Sequence, residues 1–378
     1  MSSRTKERRV GGRRVPGAWK ALGLLLLGWL AAPGADGMVW RGGTSALLGA
    51  GTDTNPLEAL NPADRRVDGF ARLESGFWIR GATTPNGSGP SFGLRWAADR
   101  YVRERIETRL ISSARAGWAW RYPGKSLACS WTSYARSFPA DPVRAVRRHE
   151  VQLAAERRLP SGALLRAGLQ GMALESRRDG PPARRGSTLR FEIQRSDGAT
   201  WTTRAGVECG VIQIDRPALR PFGDGQLAAS AGDQRDRWLL ASATARALGP
   251  PYFELGCGVR RVHSNSYGYS MGRLEASLLL GGILVRSLSG QVLLRAELPV
   301  YDDARVGIDV HEDVEDRAFA ARNGLTLRLL RPLGQGWSAD LQATWQNDES
   351  LILRDFYRKT ILMAALRYSA GEPDPGGF

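Results

Sequence analysis

The sequence predicts an all-β protein: a transmembrane, antiparallel, up-and-down β-barrel of about sixteen strands, with about fourteen as the alternative. Three observations predict it. Between Gly43 and Ala370 apolar and polar side chains alternate one for one over most stretches of about ten residues. The links between those stretches alternate between short and long. A basic, then apolar, then small-residue segment precedes the first stretch, as an export signal does.

The alternation is clear in several stretches. In Phe70–Arg80, Ala71, Leu73, Phe77 and Ile79 point one way, while Arg72, Glu74 and Arg80 point the other. Trp201, Thr203, Ala205, Val207 and Cys209 alternate with Thr202, Arg204, Gly206 and Glu208. Trp337, Ala339, Leu341, Ala343 and Trp345 alternate with Ser338, Asp340, Gln342 and Thr344. A strand turns successive side chains to opposite faces, so each stretch is a ribbon with one oily and one polar side. In order, the strands are predicted over 43–53, 69–80, 91–100, 107–121, 126–137, 147–158, 163–174 and 188–195. The second half follows over 200–211, 237–247, 252–261, 269–280, 290–300, 320–331, 337–346 and 357–369. The phase is weakest from Leu274 to Ser289, where SLLLGGILV is apolar on both faces.

Tight links are read at YPGK (Tyr122–Lys125), LPSG (Leu159–Gly162), SDGA (Ser196–Ala199), LGPP (Leu248–Pro251) and RPLGQG (Arg331–Gly336). Long links are read over 54–68, 138–146, 175–187, 212–236, 301–319 and 347–356. Short turns at one end and long loops at the other are the habit of outer-membrane barrels, with both termini on the periplasmic side. A soluble sandwich or propeller would need an all-apolar core and shorter strands. Strands of ten to twelve residues suit a tilted membrane crossing, about 9–11 residues long.

Residues 1–37 read as a cleaved signal peptide. Seven bases against Glu7 and Asp36 flank the apolar run ALGLLLLGWLAA (Ala21–Ala32), which is too short to span a bilayer. Residues 38–370 form the predicted barrel, and 371–378 a short polar tail. The net charge of +15 could suggest nucleic acid, but the cations are 49 Arg and 4 Lys spread along the strands. No basic cluster with interleaved aromatics occurs, so no nucleic-acid partner is expected. Cys129, Cys209 and Cys257 all fall on the apolar phase and read as small lipid-facing side chains, not a disulfide framework. His149, His263 and His311 are too scattered for a zinc site, and neither metal nor cofactor is expected.

GAGTDTNPL (Gly49–Leu57) resembles the opening of bacterial outer-membrane barrels, where a Gly-rich strand runs into D-[ST]-N. Similar wording returns in VHSNSYGY (Val262–Tyr269) and, more loosely, in QNDESLILRDFY (Gln346–Tyr357). The last stretch, YRKTILMAALRYSA, is similar to the closing strand that barrel-assembly machinery reads, although Tyr368 is followed by further residues. The loop-then-Tyr pattern also resembles the barrel domain of surface lipoprotein assembly modifiers, whose helical repeats this chain lacks. The resemblance implies a cell outer-membrane location, with membrane lipid and the assembly machinery as partners. Asp, Ser and Asn at a strand exit also read simply as turn chemistry.

The polar phase supplies the candidate site. Arg72, Glu74, Arg95, Arg115, Glu156, Arg204, Glu208, Glu254, Arg260, Arg295 and Glu297 are expected to line the lumen. They form either a cross-strand lattice that fixes the barrel's shape or a hydrated lining that selects solutes. A passive pore or solute-uptake channel for small solutes or ions is the function expected. A surface-assembly or export barrel is the alternative, and a lipid-modifying enzyme a third. The enzyme reading would rest on His263-Ser264-Asn265-Ser266, but adjacent His263 and Ser264 face opposite ways on an extended chain. No catalytic residue is therefore expected. Seven carboxylates in Tyr301–Phe319 read as a solvated acidic loop.

Overall fold

The computed structural model describes residues 39–56, 63, 65–82, 87–176, 182–198, 200–222, 226–247, 249–285, 287–303, 322–349 and 356–371. Residues 1–37, expected to be a signal peptide, most of the acidic loop and residues 372–378 of the tail lie outside them.

Sixteen strands occur among the described residues, one for every stretch of alternating sequence. They are β1 (Val39–Asp53), β2 (Asp68–Ala82), β3 (Gly89–Tyr101), β4 (Arg109–Tyr122), β5 (Lys125–Ser137), β6 (Val146–Arg158), β7 (Leu164–Ser176) and β8 (Arg184–Asp197). The second half is β9 (Trp201–Phe222), β10 (Gln226–Ala247), β11 (Tyr252–Ser264), β12 (Met271–Val285), β13 (Leu288–Tyr301), β14 (Arg322–Gly334), β15 (Trp337–Glu349) and β16 (Phe356–Gly371). Each pairs antiparallel with its sequence neighbours, and β16 returns to β1, closing the barrel. Closure removes both sheet edges, so every strand's backbone donors and acceptors are met by another strand.

The ladders fix which side chains share a face. Running sideways, Arg115 lies opposite Thr132, then Glu150, Met172, Gly186, Ile212, Asp236 and Ser264. This polar phase is the crowded, concave one. Asp53, Asp99, Asp236, Asp340 and Arg273 belong to it, and each is buried. Ala116 is a buried residue of the opposite phase. That opposite phase presents large apolar side chains to the surroundings, among them Leu48 at 64%, Leu298 at 64% and Val259 at 58% exposure. An apolar belt around the outside of a closed barrel is stable only in lipid.

The two rims differ. At the short-link end, outward aromatics meet in pairs, Trp118 with Trp120 (6.2 Å between ring centroids) and Trp337 with Tyr368 (5.0 Å). Amphipathic rings belong at a membrane–water boundary. Gly124 and Gly162, at φ +70° and +82°, take the left-handed conformation these tight turns demand. The ambiguous stretch around Ile283 carries a register shift between Ile283 and Val285, so the lost sequence phase marks a real irregularity.

One assignment is corrected. The expected long loop over 212–236 is a two-stranded ribbon, because β9 and β10 each run for 22 residues. Pro217 and Pro221 lie within this ribbon, and its ladder shifts between Ala229 and Asp233 and again at Gln234. Beyond the membrane both faces of a ribbon meet polar surroundings, so nothing enforces the alternation by which the other strands were recognised.

Candidate functional site: the arginine–carboxylate lining

All eleven residues expected to line the lumen share one phase of the ladders. The registers show it directly: Arg72 pairs with Asp99, Arg95 with Ser113, Arg190 with Glu208, Glu254 with Arg246, Arg260 with Arg273, and Glu297 with Glu275.

Most of them are tied into a lattice in which one carboxylate holds arginines from neighbouring strands. Asp99 on β3 accepts from Arg72 Nε on β2 (2.6 Å) and Arg109 Nε on β4 (2.8 Å). Glu192 on β8 takes Arg166 (3.1 Å), Arg190 (3.0 Å) and Arg204 (3.1 Å), linking β7 to β9. Glu275 accepts from Arg260 Nε (2.7 Å) and Arg273 Nε (3.2 Å), and Arg273 reaches on to Glu297 (3.1 Å) across β13. Asp340 gathers Arg328 (2.5 Å) and Arg367 (3.4 Å) from β14 and β16. Simpler contacts complete it: Arg95 with Glu74 (2.9 Å), Arg166 with Glu156 (2.6 Å), Arg246 with Glu254 (2.6 Å), and the Trp238 indole N–H donating to Glu208 (3.3 Å).

The planar guanidinium explains why arginine fills these positions and lysine almost none. It offers donors on several edges at fixed angles, so one side chain bridges two carboxylates on different strands. The lattice was read from sequence as a set. Residues outside that set (Arg246, Arg328 and Arg367 among them) also belong to it, and their signal was the same alternation extended to strand ends.

Two of the expected residues stand apart. Arg115 and Arg295 have no ion-pair or hydrogen-bond partner among the described residues. Arg115 borders a cavity of about 340 Å³ with Arg80, Arg121 and Gln152. Arg295 borders one of about 370 Å³ with Ser242, Thr244, Arg260 and Ser277. Carboxylates on this face are held, while some of its arginines are left over.

The Asp53-Thr54-Asn55 segment and the similar Ser264-Asn265-Ser266 segment are clasps. At the seam, Asp53 is fully buried and accepts from Tyr101 Oη (2.9 Å), Lys359 Nζ (2.9 Å) and the Asn55 backbone N–H (3.0 Å). Asn55 Nδ2 donates to the Arg358 carbonyl (3.1 Å), and Thr54 exchanges two bonds with Thr360. In the second segment His263 is exposed and Ser264 turns inward, its Oγ accepting from the Ser266 N–H (3.0 Å). Cys129, Cys209 and Cys257 are unpaired, the last two exposed on the outward phase.

No protein-family model matches the chain, and no curated protein matches it. Among solved structures it is similar to a bacterial polysaccharide outer membrane secretin (12% identity, 88% of this chain and 98% of that one, TM-score 0.44). It is also similar to OprD from Pseudomonas aeruginosa (11%, 88% and 96%, TM-score 0.46). A third is CdiB from Acinetobacter baumannii (12%, 86% of this chain and 60% of that one, TM-score 0.47). The closed ladder and the apolar belt, independently of these likenesses, make the chain an integral β-barrel of the outer-membrane type.

Proposed function

We propose that the chain is a passive pore or solute-uptake channel of the outer membrane, with a weak preference for anions. The observation that carries this reading is the imbalance within the concave face. Most of its carboxylates are engaged by arginines, while Arg115 and Arg295 keep guanidinium groups without a partner among the described residues, beside cavities. Fixed lattice pairs hold the wall open and contribute little net field. Uncompensated arginines attract mobile anions into a water-filled passage. A sixteen-strand barrel is wide enough to leave such a passage.

The reading assigns no catalytic step. His263 and Ser264 lie on opposite faces of β11, so they do not form a nucleophile–base pair. Biogenesis would rest on the barrel-assembly machinery and on outer-membrane lipid as the medium. Planar-bilayer recording of the folded protein tests the proposal. Steady, ohmic single-channel steps are expected, and a silent barrel under both voltage polarities would overturn it.

A further inference from the structure

The outward face of β8–β11 changes character sharply along the strands. Toward the long-link end it carries Arg185, Arg235, Arg237, Arg261 and His263, all exposed. Arg237 lies opposite His263, and Arg261 lies opposite Leu239, so the arginines of β10 and β11 share one outward patch. Arg261 is already held by Asp302 through two bonds of 2.8 and 2.6 Å. The side chains of Arg185, Arg235 and Arg237 have no partner among the described residues. The acids nearby include Glu175 on β7, two residues beyond the register partner of Arg185, with Asp215, Asp233 and Asp302, and Asp233 accepts from Gln213 Nε2 (3.1 Å). Across the barrel, the exposed cations toward this end include Arg100 on β3 and Arg358 on β16.

Immediately below the block the same strands turn apolar, with Leu239 at 53% and Val259 at 58% exposure. There the wall is hollowed. Ala205, Ala241, Ala243 and Cys257 leave a groove of about 820 Å³ between Phe191 and Leu274. Four residues of strand separate Arg237 from Ala241, roughly 13 Å at the rise of a β-strand. Cationic side chains at the membrane boundary, with a chain-wide apolar groove directly beneath them, match the two ends of one molecule. The head would be polyanionic and the tail hydrocarbon.

We infer that the outward face of β8–β11 is a binding site for a phosphorylated anionic lipid, its phosphates held by Arg185, Arg235 and Arg237 and an acyl chain lying in the Ala241–Cys257 groove. The inference rests on the outer-membrane reading but not on conduction. Guanidinium groups bind phosphate through charge-assisted, often paired hydrogen bonds. Small side chains let a lipid tail lie close against the wall, where dispersion contacts accumulate.

Native mass spectrometry of the folded barrel in neutral detergent, titrated with bis-phosphorylated lipid A, tests this. Wild type should retain the lipid in preference to phosphatidylethanolamine. R235S/R237S should weaken retention by about tenfold, on the scale of losing paired charge-assisted bonds. A243W, which fills the groove and removes no charge, should weaken it as well. R100S/R358S on the far wall should leave it unchanged. Equal retention by wild type and R235S/R237S would overturn the inference, as would displacement of lipid A by millimolar inorganic phosphate, which would make the ligand a free anion. If R235S/R237S fails to fold, A243W with unchanged retention overturns it alone. Bilayer conductance recorded on the same variants separates the two readings, since losing the lipid should leave the channel steps in place.

Discussion

Two parts of the barrel carry nearly the same short sequence and use it differently. At the seam, Asp53-Thr54-Asn55 ties β1 to β16 and, through Tyr101, to β3. Across the barrel, Ser264-Asn265-Ser266 ties the end of β11 to the β9–β10 ribbon. Asn265 accepts from the Arg235 N–H (2.7 Å) and donates to the Asp233 carbonyl (3.0 Å), while Ser266 Oγ accepts from the Leu219 N–H (3.0 Å). The seam version buries a charge pair beside packed Phe70, Tyr101 and Met363, with the Phe70 and Tyr101 ring centroids 5.6 Å apart. The ribbon version uses neutral bonds, helped by Arg216 stacked 4.8 Å from the centre of the Tyr269 ring. Closing a barrel joins residues some three hundred positions apart, as in the Asn55–Arg358 bond, and must offset a large loop-closure entropy. Pinning a ribbon to its sequence neighbour demands far less. The same turn chemistry is therefore reinforced by charge and packing only where closure requires it.

The largest effect should come from breaking the seam. Asp53→Ala leaves Lys359 and Tyr101 buried without their shared acceptor, which costs about 3–5 kcal/mol. The denaturant midpoint of the folded barrel in detergent should fall sharply, and heat-modifiable gel migration should be lost at a lower temperature. An unchanged midpoint would mean that the clasp does not hold the barrel shut. Glycine adds a steric version of the same test. A Cβ on Gly51 would lie 2.1 Å from the Leu362 carbonyl oxygen and 3.0 Å from the Phe70 ring, so Gly51→Val should also open the seam.

Next in size is the contrast between a lattice arginine on β2 and one on β13 without a partner among the described residues. Arg72→Glu removes one arginine from Asp99 and sets a second carboxylate against it, leaving Arg109 to face both, so stability should drop by several kcal/mol, on the order of a broken buried ion pair. Arg295→Glu meets no partner to lose, and its midpoint should stay close to wild type. Equal losses for the two would show that Arg295 also carries the fold. The smallest effect is expected at the ribbon. Ser266→Ala removes one neutral bond, worth about 1 kcal/mol. Faster hydrogen exchange at the Leu219 amide should report it, with the global midpoint unmoved.

Strand number, order and approximate ends were legible because lipid outside and polar contacts inside impose a strict two-residue period. Where that constraint lapses, legibility lapses with it. The outer halves of β9 and β10 lie beyond the apolar belt, and their sequence predicts a loop. Around Ile283 both phases are apolar, and the register itself slips there. The members of the lining were legible for the same reason as the strands. Which arginines are committed was not, because pairing depends on the stagger between neighbouring strands. Arg95 meets Glu74 diagonally, for example, while its register partners are Gly76 and Ser113. The seam clasp is visible in the sequence as a barrel-opening motif and as turn chemistry, but its partners Tyr101 and Lys359 are distant in sequence and carry no signal that joins them to it.

The central claim is that lattice pairs fix the wall while surplus arginines set a weak anion preference. Reversal potential across a potassium chloride gradient, recorded on wild type and on R115E/R295E, tests it most directly. The account predicts a small shift toward the chloride equilibrium potential in wild type, moving toward potassium in the double variant with folding intact. A clear cation preference in wild type would contradict it.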